Sequence, residues 1–293
     1  MTQETPSSRD LERIAWTSQV LGADTAQQRA SFDAGFRSYW RTDSSPTHVV
    51  MDSPPGLEDV APWLEIRDLL ERGGVRVPQV LAADLERGFL LLEDLGVNTY
   101  LHDLDAVNAD ALFDGAFVQL MKLQAIAPPA GFPRYDHERL SMEPRLFDEW
   151  FCMRHLGMTL DCGEMEMLDA AYLHLVDAAL AQPQVLVHRD FMPRNLMRTA
   201  TGESPAVIDF QGAVAGPIAY DPASLFKAVA GVHRRLQGSY AIVSLIAGYG
   251  LLAFRDPFGI RPLVLGEAVT PEGRTVMVGS ETVAIEGTGH AVT

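Results

Sequence analysis

The chain has 293 residues, 47% of them hydrophobic and 21% charged, with a formal net charge of -16. That length and balance fit one large or two ordinary globular domains, and the acidic surface argues against nucleic acid or an anionic membrane as a partner. Two cysteines, Cys152 and Cys162, make neither a disulfide framework nor a metal ligand set; the opening residues are polar, and no apolar run reaches membrane-spanning length, so a reducing, cytoplasmic setting is expected.

In chain order, residues 7–30 are expected to form a helix, from the loose helical spacing of Leu11, Ile14, Ala15, Val20 and Leu21. A polar-aromatic stretch to Arg41 and a turn at Asp43–Pro46 lead to a strand over Thr47–Asp52. A helix over 57–73 closes at Gly73-Gly74, and Gln79–Asp84 and Gly88–Leu92 are expected as strands. This makes a small α+β lobe over residues 1–95, with Glu93-Asp94-Leu95 leaving a buried strand as a hinge. From Asn98 to Leu180 the pattern is helical, with helices over Ala111–Ala127, Phe147–Gly157 and Met165–Leu180, both cysteines falling in one helical stretch. Short strands are expected at Val185–Val187 and Ala206–Ile208, and a helical turn at Ala223–Lys227. Beyond residue 229 the expected elements are all strands, at Ser239–Ile246, Leu251–Phe254, Leu263–Leu265, Arg274–Val278 and Thr282–Ile285, arranged as a meander.

Two strings carry chemistry. His188-Arg189-Asp190-Phe191-Met192-Pro193-Arg194-Asn195 has the form His-Arg-Asp-x-x-x-x-Asn, and Asp209-Phe210-Gln211-Gly212 comes after an apolar strand. Phosphoryl transfer asks for positioning and charge neutralisation more than covalent work. Asp190 is the candidate base for an acceptor hydroxyl, and Asn195 and Asp209 are candidate Mg²⁺ ligands supplying oxygen atoms. His188 is expected to brace the loop, not to act as base, and Asp221 to do the same. As isolated residues, Asp190 and Asp209 would read as a turn residue and a strand-end cap; their order and flanking strands favour the kinase-type chemistry. The only lysines are Lys122 and Lys227, so none lies in the small lobe, where such a site usually holds phosphates with one.

With these motifs, and with Phe36–Arg41, Val50–Pro55, Phe89–Gly96, Glu149–Phe151, Arg154–Gly157 and Ile208–Tyr220, residues 1 to about 228 resemble the aminoglycoside phosphotransferase-like family. Within it they are most similar to the anomeric kinases of N-acetylmuramate and N-acetylglucosamine in peptidoglycan recycling. The resemblance implies a two-lobed protein-kinase-like α+β fold, with ATP and Mg²⁺ as cofactors. It implies adenine contacts through the backbone at Glu93 to Leu95, and transfer to a small-molecule sugar acceptor. That subgroup also lacks the small-lobe lysine, so Arg37 and Arg41 become candidate phosphate anchors, with solvated surface arginines as the alternative. Asp136 and Glu149 are candidate sugar contacts, with capping or exposed carboxylates as the alternative. Aminoglycosides, choline and homoserine remain alternative acceptors.

Residues 229–293 are similar to something else. Val232–Ala241, Ala253–Leu263 and Gly279–Ala284 resemble an internal slice of the glutaminase domain of amidophosphoribosyltransferase. That family uses an N-terminal cysteine nucleophile, and this chain begins Met1-Thr2, so glutamine chemistry is not expected. The expected organisation is therefore a small lobe at 1–95, a shortened helical large lobe at 96–228, and a β-rich fragment at 229–293. A truncated large lobe would leave helices 111–127 and 165–180 short of partners. A nucleotide-binding chimera without turnover is the non-catalytic alternative, and a purine-pathway glutamine enzyme the third. The sequence leaves the oligomeric state open.

Overall fold

The computed structural model describes residues 7–31, 36–105, 107–199, 204–225, 241–246, 250–255, 264–270, 273–279, 288 and 291–292. They fall into two units. One lies within Met1–Asp103 and Ala111–Phe226, the other within Leu104–Asp110 and Lys227–Thr293.

The first unit opens with α1 (Ser8–Leu21), which is shorter than the expected helix over 7–30. Ser7 caps its start through a reciprocal box with Asp10, and Gly22, at φ 71°, ends it in the left-handed conformation. The next element is not helix but β1 (Gln27–Ser31), paired with β2 (Ser38–Thr42). Beyond Leu21 the segment offers only alanines (Ala23, Ala26 and Ala30) to continue an apolar stripe, so pairing with β2 decides it. β3 (His48–Asp52), β4 (Val80–Asp84) and β5 (Phe89–Glu93) complete an antiparallel sheet in the order β1-β2-β3-β5-β4.

The pleat sorts β5 onto two cores. Phe89 and Leu91 join Trp16 and Val50 under α1, while Leu90 and Leu92 share a core with Met51 of β3 and with Trp63, Ile66 and Leu70 on α2 (Ala61–Arg72). Between β4 and β5, Gly88 holds φ 72°, and a Cβ there would meet the Ser53 carbonyl oxygen at 1.9 Å. No other residue fits that turn.

The larger core continues into the helical lobe. After α3 (Tyr100–Asp103), α4 (Ala109–Gln124) buries Ala116, Leu120 and Leu123 against Leu186, Phe191, Leu196, Val207 and Phe210. α5 (His137–Met142) is short. The segment Phe147–His155 is wound as a π-helix, and α6 (Cys162–Leu180) comes after it. Cys152 and Cys162 therefore sit on different helices, the first buried and the second exposed. α4 finds partners for its apolar face. α6 buries only Val176 and leaves Met167, Leu173 and Leu175 exposed.

β6 (Gln184–Val187) pairs with β9 (Val214–Pro217), and β7 (Leu196–Met197) with β8 (Ala206–Val207). These two small ladders flank the motif loop, and a helical segment at 220–225 lies beyond them in the chain.

In the second unit, β10 (Ala241–Ile246) and β11 (Gly250–Arg255) form one hairpin. β12 (Val264–Thr270) pairs with β13 (Gly273–Gly279) and with β14 (Ala291–Val292) in a separate three-stranded sheet. The expected strand over 263–265 thus extends to Thr270. The expected strand over 282–285 lies outside the described residues, as does the end of the expected helical turn at Lys227.

Candidate active site

The loop between β6 and β7 carries the first motif. Its backbone is fixed by Asp221, which is fully buried: its two carboxylate oxygens accept the N–H groups of His188 at 2.7 Å and Arg189 at 2.9 Å. Burial pushes the Asp221 carboxyl up to about 7, against the pull of those two donors. Arg189 holds φ 78°, a conformation costly outside glycine, and the Asp221 bonds hold it there.

His188 is the second brace. Burial drives its ring down to about 4, so it is neutral near pH 7. In that form Nε2 donates to the Ile208 carbonyl at 3.0 Å and Nδ1 accepts the Asp190 N–H at 3.3 Å. One ring thus ties the Asp190 loop to the strand end that carries Asp209. It has no free nitrogen to serve as a base.

Beyond Phe191, whose side chain is buried, Pro193 starts a single 3₁₀ turn, Pro193–Asn195. This turn brings Asn195 back under the loop. Its Nδ2 donates to the Asp190 carbonyl at 2.9 Å and approaches Asp209 Oδ2 at 3.4 Å. Asp209 stands at φ 65°, just past β8, and its Oδ1 accepts from Gln211 Nε2 at 2.7 Å. The Asp190 side chain is half exposed, 3.9 Å from Arg194. Asp190, Asn195 and Asp209 are therefore brought together, with an exposed carboxylate on one side and amide and carboxylate oxygens on the other.

A cleft of about 440 Å³ opens beside Asn195 and Asp209; Asp190 itself is not among the residues that line it. Tyr39, Val49, Trp63, Leu92, Met197 and Ile208 give it an apolar wall, and the hinge, Glu93 to Val97, gives it a polar edge. Arg194, Asn195 and Asp209 close the other end. The apolar wall was not singled out in the sequence: β2 was missed, and single apolar residues on scattered strands carry no local signal.

Arg41 does line this cleft, but its guanidinium is committed to the hinge. It bonds both oxygens of Asp94, at 2.7 and 2.9 Å, and the Gly96 carbonyl at 2.7 Å. Burial raises the Asp94 carboxyl, yet the Arg41 bonds outweigh that and hold it below its ordinary value. Arg37 is buried, pairs with Glu58 at 2.9 Å, and does not line the cleft. Glu93 turns its carboxylate to Arg76, and its N–H donates to the Gln79 carbonyl; the residue also lines the cleft. Leu95 lies on the cleft edge. Asp136 caps α5 by accepting the Arg139 N–H, and Glu149 is exposed on the π-helix; neither lines the cleft.

A family model described as the phosphotransferase enzyme family matches residues 26–258. The chain belongs to this family. The match runs some way past the expected boundary at 228. The N-acetylmuramate/N-acetylglucosamine kinase of Pseudomonas putida is 46% identical over 214 residues, 73% of this chain and 62% of that protein. The chain thus spans about three-fifths of the length of the kinases it matches.

The C-terminal stretch matches a different protein. The amidophosphoribosyltransferase of Schizosaccharomyces pombe is 52% identical over 66 residues, 22% of this chain and 12% of that protein. Among solved structures, ADP-bound aminoglycoside phosphotransferase APH(2'')-Ib gives a TM-score of 0.53 at 16% identity, covering 72% of this chain and 74% of that one. Choline kinase LicA from Streptococcus pneumoniae gives 0.53 at 15% identity, covering 75% of each chain. These structural neighbours establish the fold: a two-lobed, protein-kinase-like α+β architecture. Among the described residues no helix is long and apolar enough to cross a membrane.

Proposed function

We propose that this chain is an ATP-dependent kinase acting on a sugar hydroxyl, the anomeric one of N-acetylmuramate or N-acetylglucosamine. The observation that carries the reading is the Asn195 side chain, which joins the Asp190 loop to Asp209 at one end of an apolar cleft. The names of the curated relatives support the amino-sugar acceptor.

In this reading the adenine lies on the apolar wall, against the hinge backbone from Glu93 to Leu95. Asp190 orients the acceptor hydroxyl and takes its proton. The new bond forms between the sugar oxygen and the γ-phosphorus, and the bond from that phosphorus to the β-bridging oxygen breaks, releasing ADP.

The donor set suits Mg²⁺. Asn195 uses its amide nitrogen on Asp190 and Asp209, which leaves its amide oxygen for a cation, and Asp209 contributes carboxylate oxygens. Among the described residues there is no cluster of three or more acidic, His or Cys ligands, as a dedicated protein cage would need. A metal shared between two side chains, water and phosphates is the arrangement Mg²⁺ prefers. When bound, it would neutralise phosphate charge and orient the triphosphate.

We assign residues 1–95 to the small lobe and 96–228 to the large lobe. Residues 229–293 are assigned to a β-rich fragment similar to the amidophosphoribosyltransferase glutaminase slice, without glutamine chemistry of its own. The test is ATP consumption by the purified chain with N-acetylmuramate, N-acetylglucosamine and a panel of aminoglycosides, against Asp190→Ala. Amino-sugar-dependent turnover that disappears in the variant supports the reading. Turnover only with aminoglycosides moves the acceptor class. ATP binding without turnover on any acceptor would sink it in favour of a nucleotide-binding chimera.

A further inference from the structure

The cleft poses a charge problem. A triphosphate needs cationic help beyond Mg²⁺, yet no lysine lines the cleft among the described residues. There, its permanently cationic lining side chains are Arg41 and Arg194. Arg41 is occupied by Asp94 and Gly96. His102 also lines the cleft, but its Nδ1 is engaged with the Thr99 hydroxyl at 2.9 Å.

Arg194 differs from both. Its side chain is 59% exposed, and among the described residues its one ionic neighbour is Asp190, at a loose 3.9 Å. Its backbone is rigid, held between Pro193 and Asn195 in the 3₁₀ turn, with Asn195 bonded back to the Asp190 carbonyl. The residue thus lines the cleft together with both candidate metal ligands, Asn195 and Asp209, and reaches the candidate base at 3.9 Å. A planar fork of donors matches phosphate oxygens and stays charged at any working pH.

The geometry points to Arg194 as a catalytic residue that binds the γ-phosphoryl group of ATP and stabilises its charge as it moves to the acceptor. The inference rests on the kinase reading above. The bonds made and broken are those given there; Arg194 keeps its proton throughout. Its pairing with Asp190 is the resting contact, exchanged for phosphate when ATP binds.

The experiment compares ATP and ADP affinity, in the presence of Mg²⁺, for the wild type, Arg194→Ala and Arg194→Lys, together with kcat and the acceptor KM. A contact to the γ-phosphate predicts that Arg194→Ala weakens ATP about tenfold, leaves ADP unchanged and lowers kcat about 10²–10³-fold, the scale for losing one transition-state donor. Arg194→Lys should recover part of both. Equal weakening of ATP and ADP overturns the assignment, as does a change confined to the acceptor KM, which would make Arg194 a sugar contact. A circular dichroism melt matching the wild type verifies that the variants fold, as expected for an exposed side chain. A wild type that binds neither nucleotide sinks the kinase reading itself. A wild type that binds and turns over ATP, with an unaltered Arg194→Ala, sinks only the Arg194 assignment.

Discussion

Arg41 grips Asp94 with two hydrogen bonds, 2.7 and 2.9 Å long, and so fastens the second strand of the sheet to the hinge. Its third bond, to the Gly96 carbonyl, fixes the chain where it leaves the small lobe. The sequence suggested a phosphate anchor at this position; the structure places an arginine that shapes the hinge.

Arg41→Ala should therefore act on nucleotide affinity through the hinge. It strands a largely buried carboxylate, at a cost of roughly 1–3 kcal/mol, and should weaken ATP and ADP alike by about tenfold. Arg41→Lys should not restore binding, since a single ammonium cannot reproduce the fork. Calorimetric titration with both nucleotides checks this; a loss confined to ATP would return Arg41 to the phosphates.

Asp209→Ala should remove the Mg²⁺ dependence of ATP binding. The wild type is expected to bind ATP more tightly with Mg²⁺ than with EDTA, and the variant to bind equally in both. Asp190→Ala should keep the wild-type contrast, because its carboxylate serves the acceptor. An Asp209 variant that still responds to Mg²⁺ would place the metal elsewhere.

Asp52 anchors α1 to the sheet. Nearly buried, it accepts from Arg9 at 2.8 Å and from Arg13 at 3.2 Å. Asp52→Ala leaves the buried Arg13 guanidinium with Asp10, at 2.8 Å, as its remaining carboxylate and should cost about 1–3 kcal/mol. Urea denaturation followed by tryptophan fluorescence reports it, since Trp16 packs on Phe89 beside the pair. A loss below about 1 kcal/mol would mean that α1 contributes little to the small lobe.

Two buried groups should make stability depend on pH in opposite directions. His188 stays neutral down to about 4 in the folded chain, while an unfolded histidine protonates near 6.5. The unfolded state then binds more protons, so this contribution falls as pH drops from about 6.5 to 4. Asp221 stays protonated up to about 7 when folded, against 3.8 as its ordinary value. The folded state then binds more protons, and this contribution falls as pH rises from about 4 to 7. Each slope is at most about 1.4 kcal/mol per pH unit, and they offset. Asp221→Asn removes one of them, so the variant should lose stability from pH 6.5 to 4.5 more steeply than the wild type. Parallel profiles would count against the Asp221 shift.

The sequence by itself picked out the candidate reacting groups. Asp190 and Asn195 were legible because one contiguous loop holds them, and Asp209 because it ends an apolar strand in a short motif of its own, with each residue type tied to its chemistry. The buried strand Phe89–Leu92 was legible because a run of four apolar residues can only be a strand buried on both faces or part of a helix, and Gly88 and the hinge bound it. The tertiary structure alone decided how the arginines are used. Arg37, Arg41 and Arg194 look alike in sequence, but which one is free depends on where Glu58, Asp94 and Asp190 come to lie, and Glu58 and Asp94 are contributed by other segments of the chain. Residues 27–31 were likewise undecidable locally: a five-residue strand of Gln, Arg, Ala and Ser is held by pairing with β2 and by contacts of Gln27 and Arg29 to Arg13 and Trp40 on other elements. Periodicity records what a segment buries, whereas pairing of charges and strands is set by residues distant in sequence.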